Sequence, residues 1–241
     1  PIFNLTTLSV PKEPFLKFGA GVSGDTETAG QIGYTHYGSK YDATGMDRGI
    51  RDLPPALAAF FASGERISSG KVDTQAIAKQ FLNTRTGLVQ YNDKVPVNGS
   101  GSVTGGTSYV VGDGELGLVA TAGYSNGWRT KDNTEQSAAN ASLSIIDKDY
   151  RRVATENRIV VNGLLGVNYE YGEGNRLRFT NLIVRDTIKR TSLAEGRQNS
   201  QRPGADFREQ DTAWYEREVW STQLSGGFNF DPLKIDARVA Y

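Results

Sequence analysis

Between Trp220 and Phe230 the chain alternates strictly: Trp220, Thr222, Leu224, Gly226, Phe228 and Phe230 share one parity, and Ser221, Gln223, Ser225, Gly227 and Asn229 the other. After Asp231-Pro232 the alternation resumes, with Leu233, Ile235, Ala237, Val239 and Tyr241 opposite Lys234, Asp236, Arg238 and Ala240. A period of two sends successive side chains to opposite faces, so each run predicts a strand with one apolar and one wet face. Two such runs joined by two turn residues predict a hairpin. The pattern recurs upstream. Leu116, Leu118, Ala120, Ala122 and Tyr124 alternate with Glu115, Gly117, Val119, Thr121 and Gly123. Val161, Gly163, Leu165, Val167, Tyr169 and Tyr171 alternate with Asn162, Leu164, Gly166, Asn168 and Glu170. Leu177, Phe179 and Ile183 alternate with Arg176, Arg178 and Thr180, interrupted by Asn181, and Ser102–Val111 is a weaker case with Val103, Tyr109 and Val111.

Short connections separate these runs. Gly112-Asp113-Gly114, Gly172-Glu173-Gly174-Asn175 and Asp231-Pro232 are turn sequences, the glycines supplying positive φ. Between the hairpins lie the polar stretches Ser125–Arg158 and Asp186–Ala213, the latter with Arg190, Arg197, Arg202 and Arg208; both are expected to be long loops. Apolar runs of about ten residues are long enough for a tilted strand to cross a bilayer. Tight turns alternating with long loops are the habit of a membrane barrel. The expected fold is therefore all-β: an antiparallel transmembrane β-barrel segment, part of a large barrel, with long external loops carrying short helices. Tyr109, Tyr169, Tyr171, Phe228 and Phe230 beside the short turns, and Tyr124, Trp128, Trp214 and Trp220 near the long loops, suggest two aromatic girdles.

The N-terminal third differs. Phe15–Gly24 alternates as a strand, with Leu16, Phe18, Ala20 and Val22 opposite Lys17, Gly19, Gly21 and Ser23, and Gly30–Tyr37 is either a second strand or its continuation. If the short turns lie on one side, the chain must arrive on the other before Ser102, so Phe15–Tyr37 is expected to be one long, interrupted strand. Pro54–Ser63 and Thr74–Asn83 are expected to be helices. Pro54 and Pro55 suit a first helical turn, and Leu57, Phe60 and Phe61 give an apolar face.

Composition agrees with a wall that is apolar on one side. The 241 residues hold 27 basic and 27 acidic side chains, 28 glycines and only 37% hydrophobic residues. Soluble domains run nearer 45–50% apolar, and the charge balance gives no basic field for nucleic acid. There is no cysteine, so neither a disulfide framework nor a thiolate metal site is available. No signal peptide opens the chain and no run approaches a membrane helix. With an outermost strand running into Tyr241, the sequence is expected to be part of a longer exported protein.

Val10-Pro11-Lys12-Glu13-Pro14-Phe15-Leu16-Lys17-Phe18, followed by Tyr41-Asp42 and Gly45-Met46-Asp47-Arg48-Gly49-Ile50-Arg51-Asp52-Leu53-Pro54, resembles the start of the barrel in TonB-dependent outer-membrane receptors. The sharp part of the resemblance is Tyr41 to Pro54. It implies residues 1–14 as the end of a plug or lead-in segment and 15–241 as the N-terminal part of the β-barrel. It also implies location in the cell outer membrane and uptake of a scarce nutrient of the siderophore, cobalamin or glycan class. The implied partners are outer-membrane lipid, the parent's own plug domain, the TonB complex acting through that plug, and a small-molecule or glycan ligand at the external loops.

Candidate chemistry is sparse. A Ser/His/Asp triad would have to use His36, the one histidine, which sits in a strand beside Tyr34 and Tyr37. Neither HExxH nor CxxC occurs. Asp42, Asp47 and Asp52 recur around Gly45 and Gly49. They suggest either a calcium loop without EF-hand spacing or acids that cap turns and pair with Arg48 and Arg51. Gly99-x-Gly101 and Gly172-x-Gly174 open no helix and read as strand and turn glycines. Arg176, Arg178, Lys234, Asp236 and Arg238 are expected on the barrel's inner face, as wall or plug contacts or as a substrate path. The four arginines of 186–213, with Phe207 and Trp214, form either a solvated loop or a grip for an anionic ligand. No catalytic residue, cofactor or metal site is expected, and the ligand-binding residues remain unassigned. The alternatives are a passive porin-like barrel and a secreted soluble β-sandwich that binds carbohydrate.

Overall fold

The computed structural model describes residues 10–81 and 83–241. The expected lead-in segment 1–14 lies mostly outside them, since its residues 1–9 are not described. The chain is all-β and antiparallel in its main body. Seven strands form one sheet in the order β1 (Phe15–Ser23), β4 (Asn98–Val111), β5 (Gly114–Ala138), β6 (Ile146–Tyr171), β7 (Asn175–Gln198), β8 (Asp206–Phe230) and β9 (Leu233–Ala240). The sheet is open, with β1 and β9 at its edges.

The tight turns fall where glycine and Asp-Pro predict them. Gly112 (φ 59°) turns β4 into β5, and Gly172 and Gly174 (φ 53° and 86°) turn β6 into β7. Antiparallel neighbours stack residues directly opposite one another on a shared face. Reading that register across the sheet, Phe18, Val103, Ala122, Gly163, Ile183 and Trp220 form one row. Tyr109, Leu116, Tyr169, Leu177, Gly226 and Ala237 form another nearer the tight turns. All seven strands therefore send their apolar parity to the same face.

The expected long loops are strand instead. Residues 125–138 and 146–158 continue β5 and β6, and 186–198 and 206–213 continue β7 and β8, leaving only short connections at 139–145 and 199–205. The reason is cross-strand pairing of residues that no hydropathy count rewards. Arg151 pairs with Asp132, Arg197 with Asp206 and Arg208 with Glu195, while β-branched threonines recur through both stretches. At about 3.4 Å per residue, a 25-residue strand such as β5 reaches roughly 80 Å, far beyond its apolar part.

Phe15–Tyr37 is not one strand. The chain leaves the sheet after Ser23, and Gly33–His36 (β2) pairs with Val89–Asn92 (β3) in a separate two-stranded sheet. Between these lie helices α1 (Pro55–Ser63), α2 (Thr74–Phe81) and the short α3 (Thr84–Gly87), the first two close to expectation. This lobe, residues 24–97, lies over the upper part of the sheet. Its docking surface is a row of four threonines, Thr130, Thr155, Thr191 and Thr212. Thr155 Oγ1 accepts from Tyr34 N at 2.9 Å, and Thr191 Oγ1 meets His36 Nδ1 at 2.8 Å. Where β5 outruns β4, its edge is capped from two sides: Trp128 N donates to the side chain of Asn98, the first residue of β4 (Oδ1, 2.6 Å), and Thr130 N to Thr28 Oγ1 of the lobe (3.0 Å). Two rungs of an unpaired strand edge are thereby satisfied.

Candidate functional site

Two polar constellations are built on this frame. The first joins lobe and sheet. After β2, Gly45 adopts φ 72°, and a Cβ there would come 3.1 Å from Ile159 Cγ2 and 3.3 Å from Thr187 Oγ1. Glycine thus lets the carbonyl of residue 45 approach the sheet closely. That carbonyl accepts from Thr187 Oγ1 (2.7 Å) and Arg185 Nε (2.8 Å). Tyr124 Oη donates to Ala43 O at 2.6 Å, and Asp47 N to Glu216 Oε1 at 3.0 Å.

Asp42 is the hub. Arg51 grips it bidentately (Nη1–Oδ1 3.0 Å, Nη2–Oδ2 2.9 Å), Lys189 Nζ stands 3.0 Å from Oδ2, and Ser39 N donates to Oδ1 at 3.1 Å. Arg51 also reaches Asp47 (3.2 Å) and lies over the Trp214 ring, 3.9 Å from its centre. Burial pushes the Asp42 carboxyl up, but the hydrogen bonds from Arg51 and Lys189 outweigh it and hold the group below its ordinary value. Burial lowers Lys189 even against Asp42. His36, almost wholly buried, is lowered to about 4, chiefly by burial and then by Lys189 and Arg51. It is a neutral imidazole bonded to the Thr191 hydroxyl, and the cluster acts as an electrostatic lock.

Of the three aspartates, Asp42 and Asp47 converge on Arg51, whereas Arg48 stacks on Tyr41 at 4.4 Å. Asp52 lies beside Gly49. Among the described residues no group of three or more His, Asp or Glu is placed to hold a metal ion. A cavity of about 350 Å³ opens between lobe and β8, lined by His36, Arg51, Phe81, Thr86 and Trp214.

The second constellation is on the other face, beside the tight turns. Register puts Glu115, Glu170, Arg176, Gly227 and Asp236 in one row, and Gly117, Asn168, Arg178, Ser225 and Arg238 in the next. All lie opposite the apolar parity, as the alternation predicts. Arg176 stands 3.7 Å from Asp236, and Arg178 Nε donates to Asn168 Oδ1 at 2.8 Å. A cavity of about 630 Å³ opens here among Arg176, Arg178, Ser225, Asp236 and Arg238.

Higher on that face sits a network the sequence reading missed. Arg152 bridges Glu135 (2.7 Å) and Glu209 (2.9 Å) and donates to Ser192 Oγ (3.2 Å), while Lys148 adds a contact to Glu135 at 3.2 Å. Its signal was available as same-face charges of opposite sign in 125–158. Gly99 and Gly101 lie inside β4, and Gly172 and Gly174 in the turn after β6. Arg190, Arg197 and Arg208 are strand residues and Arg202 lies in the 199–205 connection.

No protein-family model, curated protein or solved structure matches the chain. Among the described residues, no helix is long and apolar enough to cross a membrane, which does not bear on crossing by strands.

Proposed function

We propose that this chain forms part of the wall of an outer-membrane barrel, of the kind built by TonB-dependent receptors, which takes up a scarce nutrient bound from outside. One observation carries the reading: the apolar face is uncovered. Leu165 is 44% exposed and Leu224 51%, whereas Val119, Asn168 and Thr180 on the polar face are 7%, 2% and 4% exposed. A water-soluble sheet hides its apolar face, and here that face is open. From the Tyr171 level to the Trp220 level that face carries no charged residue on any of the seven strands. Nine residues at about 3.4 Å, tilted by roughly 40°, give a band about 23 Å tall, close to the height of a barrel's lipid-facing belt.

The upper limit of the band supports the same reading. One row beyond Trp220 the first charges of this face appear, Arg185 and Glu218, and there the lobe docks on the sheet. Further up, the pairs Arg151–Asp132, Arg208–Glu195 and Arg197–Asp206 leave this face charged and exposed. The receptor class, the plug, the TonB coupling and the siderophore, cobalamin or glycan cargo follow from the resemblance at Tyr41–Pro54. In the structure, that segment forms the lock around Asp42.

Cell fractionation of the full-length protein, with SDS gels run with and without heating, tests the barrel. Outer-membrane recovery with heat-modifiable mobility is the expected result. A soluble product with unchanged mobility removes the reading and leaves a carbohydrate-binding sandwich. Uptake that persists without a proton-motive force favours a passive porin.

A further inference from the structure

We propose that the free edge of β5, from Lys131 to Gln136, is a docking site for an extended segment of another polypeptide, which joins the sheet there as an added strand. The edge exists whatever the wall is embedded in; only its position outside the membrane rests on the barrel reading.

Pairing on one side of β5 stops before the strand does. The β4 ladder begins with Gly99 opposite Asn126, whereas β5 runs on to Ala138 and stays paired with β6 throughout. Backbone groups along a strand face its two neighbours alternately. The donations from Trp128 N to Asn98 and from Thr130 N to Thr28 show that the even-numbered residues face the β4 side. The next rungs of that series are Asp132, Thr134 and Gln136. Among the described residues, nothing pairs with their backbone groups on this side. The chain itself closes the approach from below, because β1 ends at Ser23 opposite Asn98 and the residues before Asn98 belong to the lobe. This gap lies within the sheet, away from the outer edges of β1 and β9.

The edge is also pre-formed. Three of its side chains are drawn back onto β6. Asp132 binds Arg151 through both oxygens (Nε–Oδ1 3.0 Å, Nη2–Oδ2 2.6 Å), Glu135 meets Arg152 at 2.7 Å and Lys148 at 3.2 Å, and Gln136 Nε2 donates to Asp149 Oδ1 at 2.9 Å. Acids that would guard an open edge are thereby answered on the strand behind it, and the backbone rungs stay clear. Thr134, exposed and β-branched, occupies the middle rung. A register shift at Ser137/Ala138 ends the regular edge.

What remains is roughly 20 Å of strand with rungs about 6.8 Å apart. An extended backbone repeats its donors and acceptors at that spacing, so the occupant is a polypeptide strand of about six residues held by main-chain hydrogen bonds. Little ordering is needed on this side of the contact, since β6 already holds the edge in place. Two copies standing in one membrane carry β5 in the same direction, so a second copy does not supply the antiparallel strand.

Amide hydrogen exchange of the full-length protein tests this, with the protein in the intact cells that make it compared with the same protein after purification. Asp132, Thr134 and Gln136 are expected to exchange at least about tenfold more slowly in cells, while Asn133 and Glu135, bonded to β6, stay slow in both. Fast exchange at all three in both samples overturns the proposal. Slow exchange in both assigns the edge to the parent's own chain and overturns a separate partner. Thr134→Pro removes the middle N–H and sets a ring on the free side, where a strand tolerates proline. It should abolish the cell-only protection of Asp132 and Gln136, and protection that survives it counts against the edge. Should that variant fail to fold, the wild-type comparison decides alone. Heat-modifiable mobility of the purified sample reports the barrel reading independently.

Discussion

Lys189 Nζ on β7 stands 3.0 Å from Asp42 Oδ2 in the lobe, and each side chain is only 10% exposed. Arg51, at 13%, completes the group. Removing the acid leaves two enclosed cations facing each other. Asp42→Asn is expected to destabilise the docked lobe by about 3 kcal/mol, the cost of orphaning a buried charge. Hydrogen exchange over residues 33–53 should accelerate while β6 and β7 near the tight turns stay protected. Unchanged exchange would show that the lock carries no weight.

The lobe's docking is expected to weaken in acid, and His36 sets the window. Its pKa falls from 6.5 unfolded to about 4 folded, so between those values the undocked form binds more protons. Stability is full above pH 6.5, declines as pH falls towards 4 and levels off below it, a loss of up to about 3 kcal/mol. Asp42 adds its own loss only lower, because its carboxyl is held below the ordinary value. His36→Gln should flatten the profile between pH 6.5 and 4 in the same exchange experiment. A dependence that survives the substitution would assign it elsewhere.

Gly45→Ala should undock the lobe in part. The φ of 72° strains any L-residue by about 1–2 kcal/mol, and the new methyl would meet Ile159 and Thr187. Gly64, at φ 67° with nothing within 4 Å, is the matched control that carries the backbone strain alone. Protease sensitivity of the 24–97 segment should rise clearly more for Gly45→Ala than for Gly64→Ala.

The two faces of β8 should differ in their tolerance of charge. On the barrel reading proposed above, Leu224→Arg places a cation in the uncharged band and is expected to cost about 2–4 kcal/mol of membrane stability. Gln223→Arg, one residue away on the polar face, should cost little. Refolding into liposomes in a urea series, read by mobility on unheated gels, separates them. Equal midpoints would contradict the assignment of faces.

Period-two alternation was enough to place the strands near the tight turns, their common apolar face and the turns themselves. Burial of alternate residues against a uniform medium leaves its trace in every second position, whatever the partner. The helices at 55–63 and 74–81 were legible for a similar local reason. What lay beyond the band was not. Residues 125–138 and 186–198 look like loops because both faces are polar, yet they are strands. Their stability comes from partners on other strands, such as Asp132 for Arg151 and Asp206 for Arg197, and a single-strand pattern does not contain the register that pairs them. Asp42, Asp47 and Arg51 were visible as a cluster. That Lys189, Trp214 and Glu216 complete it was decided only when the lobe folded back onto the threonine row, because the energy of that contact belongs to residues far apart along the chain.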